Sequence, residues 1–159
     1  MTLSIGDRLP SVSLHTYDEG PKPITTEAVF GGKTVVLFAV PGAFTPTCSA
    51  RHLPGFVEQR AAFAAKGVDT VACISVNDAF VLNAWAKDQN SGEAVLMLAD
   101  GNGAFARATG LVLDGTGFGM GERLQRFALV AKDGVVTHLF VEAPGEFKVS
   151  AADHVLANI

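Results

Sequence analysis

Three runs rich in β-branched and aliphatic residues constrain the fold more than anything else in this chain: residues 34–40 (TVVLFAV), 68–76 (VDTVACISV) and 94–99 (AVLMLA). They lack the strict polar alternation of a strand with one wet face, so each reads as a strand buried on both sides. Such strands need helices on both faces of their sheet, and helical patterns do follow each run. Residues 47–66 carry an apolar stripe through Leu53, Phe56, Val57, Ala61 and Phe63, closed by Gly67. Asn77 or Asp78 caps a second helix through Leu82 and Trp85, and 104–109 reads as a short third helix stopped by Gly110. The repeated strand–helix order predicts parallel pairing.

The flanks are read differently. Residues 1–23 form an irregular lead-in holding a short peripheral strand at 11–15 and a turn at 18–21, and 25–30 make one capped helical turn ended by Gly31 and Gly32. From Arg123 onward, 123–132 and 135–142 are strand-like and joined by Asp133-Gly134, a two-residue hairpin signal. A last helix opens near Ser150 and Asp153, which occupy capping-box-like positions. Parallel units followed by a hairpin and a helix predict an α/β, thioredoxin-like fold with a central mixed sheet flanked by helices. With 159 residues, 48% of them hydrophobic, residues 1–159 are read as one domain.

Charge and cysteine usage narrow the function. Twelve Lys and Arg against sixteen Asp and Glu give a net charge of −4, without a basic cluster, so neither nucleic acid nor an anionic membrane is an expected partner. No apolar run reaches the roughly 18 residues of a membrane span, and the first eight residues lack an apolar signal core, so a cytoplasmic protein is expected. Two distant cysteines make no disulfide framework, and a reducing compartment keeps a thiol available as a reagent.

The chemistry concentrates after the first buried run. A turn bearing Pro41 and Gly42 delivers Cys48 to the first turn of the 47–66 helix, where free N–H groups and the helix dipole favour an anion, here the thiolate. The alternative is a structural cysteine packed as a small hydrophobe. Thr45 can aim its hydroxyl at the same point or serve as an ordinary cap. Pro54 inside the helix predicts a kink between residues 50 and 54. Arg126 lies in LQRFALV, a run apolar on both faces, so its guanidinium needs an anionic or strongly polar partner, either the Cys48 thiolate or a carboxylate. Arg123 is expected to be solvated. His52, four residues after Cys48, shares its helix face; a metal or Cys/His hydrolase site would need further groups that the sequence does not offer, which favours a hydrogen-bonded histidine. Cys73, inside a buried run, is inert core by default, with a redox role as the alternative. The glycine-rich run 115–121 leads into a strand rather than a helix, which argues against a phosphate loop and for a mobile loop presenting Phe118 and Met120 as an apolar wall. No metal and no cofactor is expected.

The segment 41–49 (PGAFTPTCS) with 52–56 (HLPGF) resembles the active-site signature of the peroxiredoxins, specifically type II. The likeness continues through DTVACISVND, Ala84-Trp85 and RLQRF. It implies a thioredoxin-like fold, a homodimer, and a thiol peroxidase in which Cys48 attacks the peroxide and passes through a sulfenic acid. Thr45 and Arg126 would complete the catalytic trio, with Pro41 shielding the site and Gly42, Phe44, Phe118 and Met120 lining the substrate pocket. Some members carry a resolving cysteine just before the last helix, where this chain has Lys148-Val149-Ser150. Recycling would then use Cys73 or an external thiol, with glutathione and glutaredoxin, or thioredoxin, as reductant. A thiol–disulfide oxidoreductase is disfavoured because Thr45 stands where a C-x-x-C pair needs its first cysteine; a non-catalytic redox sensor is the other alternative.

Overall fold

The apolar runs assemble as parallel neighbours at the centre of a seven-stranded sheet. The computed structural model describes residues 2–159. β3 (Thr34–Ala39) pairs in parallel with β4 (Thr70–Ser75), and β4 with β5 (Leu96–Ala99). On one side β3 meets β8 (Phe127–Lys132), which turns through Asp133 and Gly134 into β9 (Val135–Val141). Both turn residues have positive φ, +48° and +78°, as the tight hairpin requires. On the other side β5 meets β1 (Ser13–Tyr17), which pairs with β2 (Pro21–Thr25). The order is β2-β1-β5-β4-β3-β8-β9.

Because successive side chains of a strand point to opposite faces, β3 feeds two cores. Val35, Leu37 and Ala39 pack with Phe30 of α1 (Thr26–Phe30) and Phe105 of α5 (Ala104–Thr109). Val36 and Phe38 pack on the other face with Leu53 and Phe56 of α2 (Leu53–Glu58), Phe63 of α3 (Arg60–Ala65), Trp85 of α4 (Ala79–Asp88) and Val155 of α6 (Ala152–Ala157). Phe38, Phe56 and Phe63 stack with centroids 4.1 and 5.6 Å apart, and burying each ring contributes about 1.5–3 kcal/mol. The second face holds both cysteines.

The structure departs from the sequence reading in four places. Residues 21–25 form a strand rather than part of an irregular lead-in; its two prolines sit at the sheet edge, where missing N–H groups are tolerated. Residues 123–132 are not one strand: β7 (Glu122–Leu124) leaves to pair with β6 (Val112–Asp114), and Gln125 and Arg126 form the joint to β8. The expected 47–66 helix is three pieces, a π-helical turn at Cys48–His52 followed by α2 and α3. Pro54 has no N–H to give the preceding turn, and the wider π turn, closed from Leu53 N–H to the Cys48 carbonyl, takes up the misfit. Finally, Ser150 and Asp153 form no capping box; the cap residue of α6 is Ala151, and the Ser150 hydroxyl is spent on Glu142.

Candidate active site

The loop from β3 to the π turn is held by hydrogen bonds rather than by regular structure. Asn77, just beyond β4, accepts the Ala43 N–H at 3.0 Å and the Ser75 hydroxyl at 2.6 Å through the same oxygen. Thr45 donates its hydroxyl to the Gly42 carbonyl at 2.7 Å, and its own carbonyl accepts from Ser49 N–H. Its hydroxyl proton is thus directed at the loop and not at the sulfur. The turn is tight enough that Phe44 takes a left-handed backbone, φ +64°, unusual for a bulky side chain. Gly42 is closely approached: a Cβ there would lie 3.0 Å from Arg123 Nη1 and 3.2 Å from Thr45 Cγ2, so a side chain would press on both.

Cys48 is completely buried, with its sulfur 3.1 Å from Arg126 Nη2. Arg126 continues the β8–β9 pairing by one residue, its carbonyl accepting the Glu142 N–H at 3.0 Å, so strand alternation sends its side chain to the face opposite Phe127, the face that holds Cys48. Arg126 meets no carboxylate; among the described residues the side-chain ion pairs are Lys22–Asp18 and Lys148–Glu146. Its other arm, Nη1, lies 2.8 Å from His52 Nδ1. Phe147 closes the far side, its ring 5.9 Å from the Arg126 guanidinium carbon and 4.7 Å from that of Arg51. Trp85 Nε1 donates to Ser49 Oγ at 3.0 Å, tying the residue after Cys48 to α4.

His52 has both ring nitrogens engaged, the second 3.0 Å from the Ser150 carbonyl, so neither is open to a metal or to a hydrolytic role. Burial first, and the Arg126 charge second, push its pKa from 6.5 down to about 3. Arg123 is only partly exposed and is engaged: Nε donates to the Met120 carbonyl at 2.8 Å and Nη1 to the Pro41 carbonyl at 3.2 Å, fastening the glycine-rich loop to the turn before Cys48. Only its position three residues before Arg126 set it apart in the sequence, and its partners are carbonyls that no sequence pattern marks.

A cavity of about 660 Å³ opens on this constellation, with Pro41, Thr45, Phe118, Met120 and Arg126 on its walls and the segment 142–146 opposite. That volume suits a small organic ligand. Of the expected pocket residues, Pro41, Phe118 and Met120 line it. Gly42 lies behind, against Met120 and Arg123, and Phe44 does not line it, because the left-handed turn leaves its ring about half exposed to solvent. Phe118 sits in a 3₁₀ turn, Thr116–Phe118, and is 87% exposed. Cys73 lies on β4 beside Phe38 of β3, on the same face as Cys48 and equally buried. Burial, reinforced by the nearby Cys48, pushes its thiol pKa well up, which keeps it protonated.

The chain resembles known proteins along almost its whole length. The family model described as Redoxin matches residues 4–156. Peroxiredoxin-2B of Arabidopsis thaliana is 44% identical over 156 residues, covering 97% of this chain and 96% of that one. Chloroplastic peroxiredoxin-2E-2 of Oryza sativa is 47% identical over 161 residues, covering 98% and 72%. Among solved structures, reduced Prx3 of Vibrio vulnificus in complex with hydrogen peroxide is 50% identical, superposes with a TM-score of 0.94, and is matched over 99% of both chains.

Proposed function

Since the chain belongs to the redoxin family and is a peroxiredoxin, a thiol-dependent peroxidase, we propose that Cys48 is its peroxidatic residue and that Arg126 and Thr45 are the side chains acting with it. The observation that carries this is the 3.1 Å approach of Arg126 Nη2 to the Cys48 sulfur. The Cys48 thiolate attacks one oxygen of the hydroperoxide, an S–O bond forms as the O–O bond breaks, and the departing oxygen leaves as water or an alcohol after taking up a proton. Negative charge grows on that oxygen in the transition state. The Arg126 guanidinium, reaching both the sulfur and the cavity wall, is placed to stabilise it, a contribution of roughly 2–4 kcal/mol for such a donor. Thr45 shapes the approach, its hydroxyl holding the Gly42 turn while a lone pair remains to accept a hydrogen bond from the peroxide. The apolar wall of Pro41, Phe118 and Met120 supports alkyl hydroperoxides as substrates alongside hydrogen peroxide.

The Cys48 sulfenic acid is then reduced by an external thiol, which displaces water to give a mixed disulfide that a second thiol resolves. Cys73 is no efficient resolving residue in this reading, because its thiol stays protonated inside the sheet. Glutathione with glutaredoxin, or thioredoxin, supplies the electrons in the cytoplasm, and the working form is a homodimer. The test oxidises the protein with one equivalent of peroxide, with and without glutathione, and maps disulfides by mass spectrometry without reduction, beside steady-state assays with each reductant. Glutathionylated Cys48 and turnover with glutaredoxin are the expected results. A stoichiometric Cys48–Cys73 bridge whose loss in Cys73→Ala stops turnover would overturn the external-thiol reading.

A further inference from the structure

A chain of hydrogen bonds runs away from the Cys48 sulfur, and the reaction as described uses only its first link. Arg126 is donor-only, so His52 Nδ1 must offer it a lone pair, and the His52 proton must then sit on Nε2 and be donated to the Ser150 carbonyl at 3.0 Å. Ser150 in turn gives both its N–H (2.8 Å) and its hydroxyl (2.6 Å) to Glu142 Oε2, which also accepts Lys148 N–H at 2.7 Å. Burial opposes the Glu142 carboxylate, but the bonds from Ser150 and Lys148 outweigh it and hold its pKa below the usual range. The His52 ring itself is boxed by Phe38, Phe56 and Phe147, with centroids 4.9 to 5.6 Å away.

We propose that His52 is a positioning residue of the peroxidase site: its imidazole holds one arm of Arg126 so that the other meets the Cys48 sulfur, and Glu142, through Ser150, holds the imidazole. The inference rests on the reading of Arg126 given above. The physical reason is geometric. A guanidinium is a planar fork on a flexible stem, and with no carboxylate to grip it, its direction is set by whatever accepts the arm not used in the reaction. An imidazole fixed at its far nitrogen and packed between rings is a rigid acceptor, and being neutral it leaves the full Arg126 charge for the departing oxygen. An acid in that place would neutralise the charge.

Three replacements of His52 separate positioning from packing. Asparagine reproduces an acceptor near Nδ1 but not the reach to Ser150; glutamine reproduces the Nε2 donor but not the acceptor; phenylalanine keeps the ring without either. Peroxide oxidation is read by stopped-flow fluorescence of Trp85, the single tryptophan, which is bonded to the residue after Cys48. Thermal midpoints are measured on the same samples. His52→Asn is expected within about threefold of the parent rate constant, and His52→Gln and His52→Phe lower by roughly ten- to a hundredfold, the scale at which partners that orient metal ligands act. Glu142→Gln, which cannot act through ring volume, is expected to fall in the same direction by a smaller factor. A parental rate in His52→Phe, or rates that follow the midpoints across the series, would overturn the proposal. Arg126→Lys run alongside identifies where a failure lies: if it too keeps the parental rate, the role of Arg126 itself is wrong, whereas a slow Arg126→Lys beside a fast His52→Phe removes His52 alone.

Discussion

The two cysteines are equally buried on the same face of the sheet, yet their surroundings make them chemically unlike. Cys73 projects from the middle of β4 into hydrocarbon, where burial and the nearby Cys48 disfavour the charged form of its thiol by more than the Arg126 charge favours it. Cys48 sits at the start of an irregular π turn, with a guanidinium on its sulfur and a cavity on the far side of that guanidinium. Burial alone therefore says little about a thiol's reactivity. What separates the two is regularity of the backbone: a strand in mid-sheet offers its neighbours only side-chain contact, while a π turn leaves room for a long polar side chain to enter from another element.

The strongest way to test this contrast is to exchange the sulfur for oxygen at the reactive position. Cys48→Ser is expected to abolish peroxide consumption in a coupled assay while leaving the fold intact by circular dichroism; residual turnover carried by Cys73 would erase the distinction. Next in size is Arg126→Lys, which keeps a positive charge but loses the planar fork. Its second-order rate constant with peroxide should drop roughly ten- to a thousandfold, the effect of losing one charge-stabilising donor. An unchanged constant would mean that Arg126 only fills space.

A third test concerns the polar network that Cys48 has and Cys73 lacks. His52 binds its proton more weakly in the folded state, at about 3, than its ordinary 6.5 in the unfolded chain, so the unfolded chain takes up the extra proton between those values. Stability is then full above pH 6.5 and declines as the pH falls towards 3, by at most about 1.4 kcal/mol per pH unit. Glu142, whose pKa is also held low, adds its own loss only below the ordinary carboxylate range. Urea unfolding at a series of pH values should show the decline beginning near 6.5 and should flatten between 6.5 and 5 in His52→Asn. A parent protein equally stable at pH 7 and 5 would show that His52 is not buried neutral. The smallest effect is expected for Cys73→Ala. Peroxide reduction should stay within about threefold, because no donor to the reacting oxygens is lost, and the cost should appear instead in the unfolding midpoint as a small cavity.

The parallel core, the Asp133-Gly134 hairpin, the Thr25 cap and a cap at Asn77 or Asp78, which the structure gives to Asp78, were all legible in the chain, because each depends on residues close together in sequence. Cys48 itself was legible for the same reason, since strand, turn and proline-bearing helix are consecutive. The resemblance of 41–49 and 52–56 carried further than periodicity, pairing Cys48 with Arg126 across the chain before any contact was known. The β6–β7 ribbon escaped detection because its strands are short and the glycine-rich loop between them masks their alternation. Without that ribbon, 123–132 reads as one continuous strand.

From the order of its residues alone, this sequence determined a mixed α/β sheet, and it pointed to Cys48 as the candidate nucleophile while leaving Arg126 between that thiol and a carboxylate. Tertiary structure alone decided that Arg123 clamps the Pro41 turn, that the Thr45 hydroxyl serves Gly42, and that Glu142, Ser150, His52 and Arg126 form one line ending on sulfur. The division has a physical cause. Hydrophobic periodicity and turn preference are local and repeat along the chain, so they survive in sequence. A hydrogen bond between groups 98 residues apart, as between His52 and Ser150, depends on a direction and a distance that exist only once the sheet has brought both ends together.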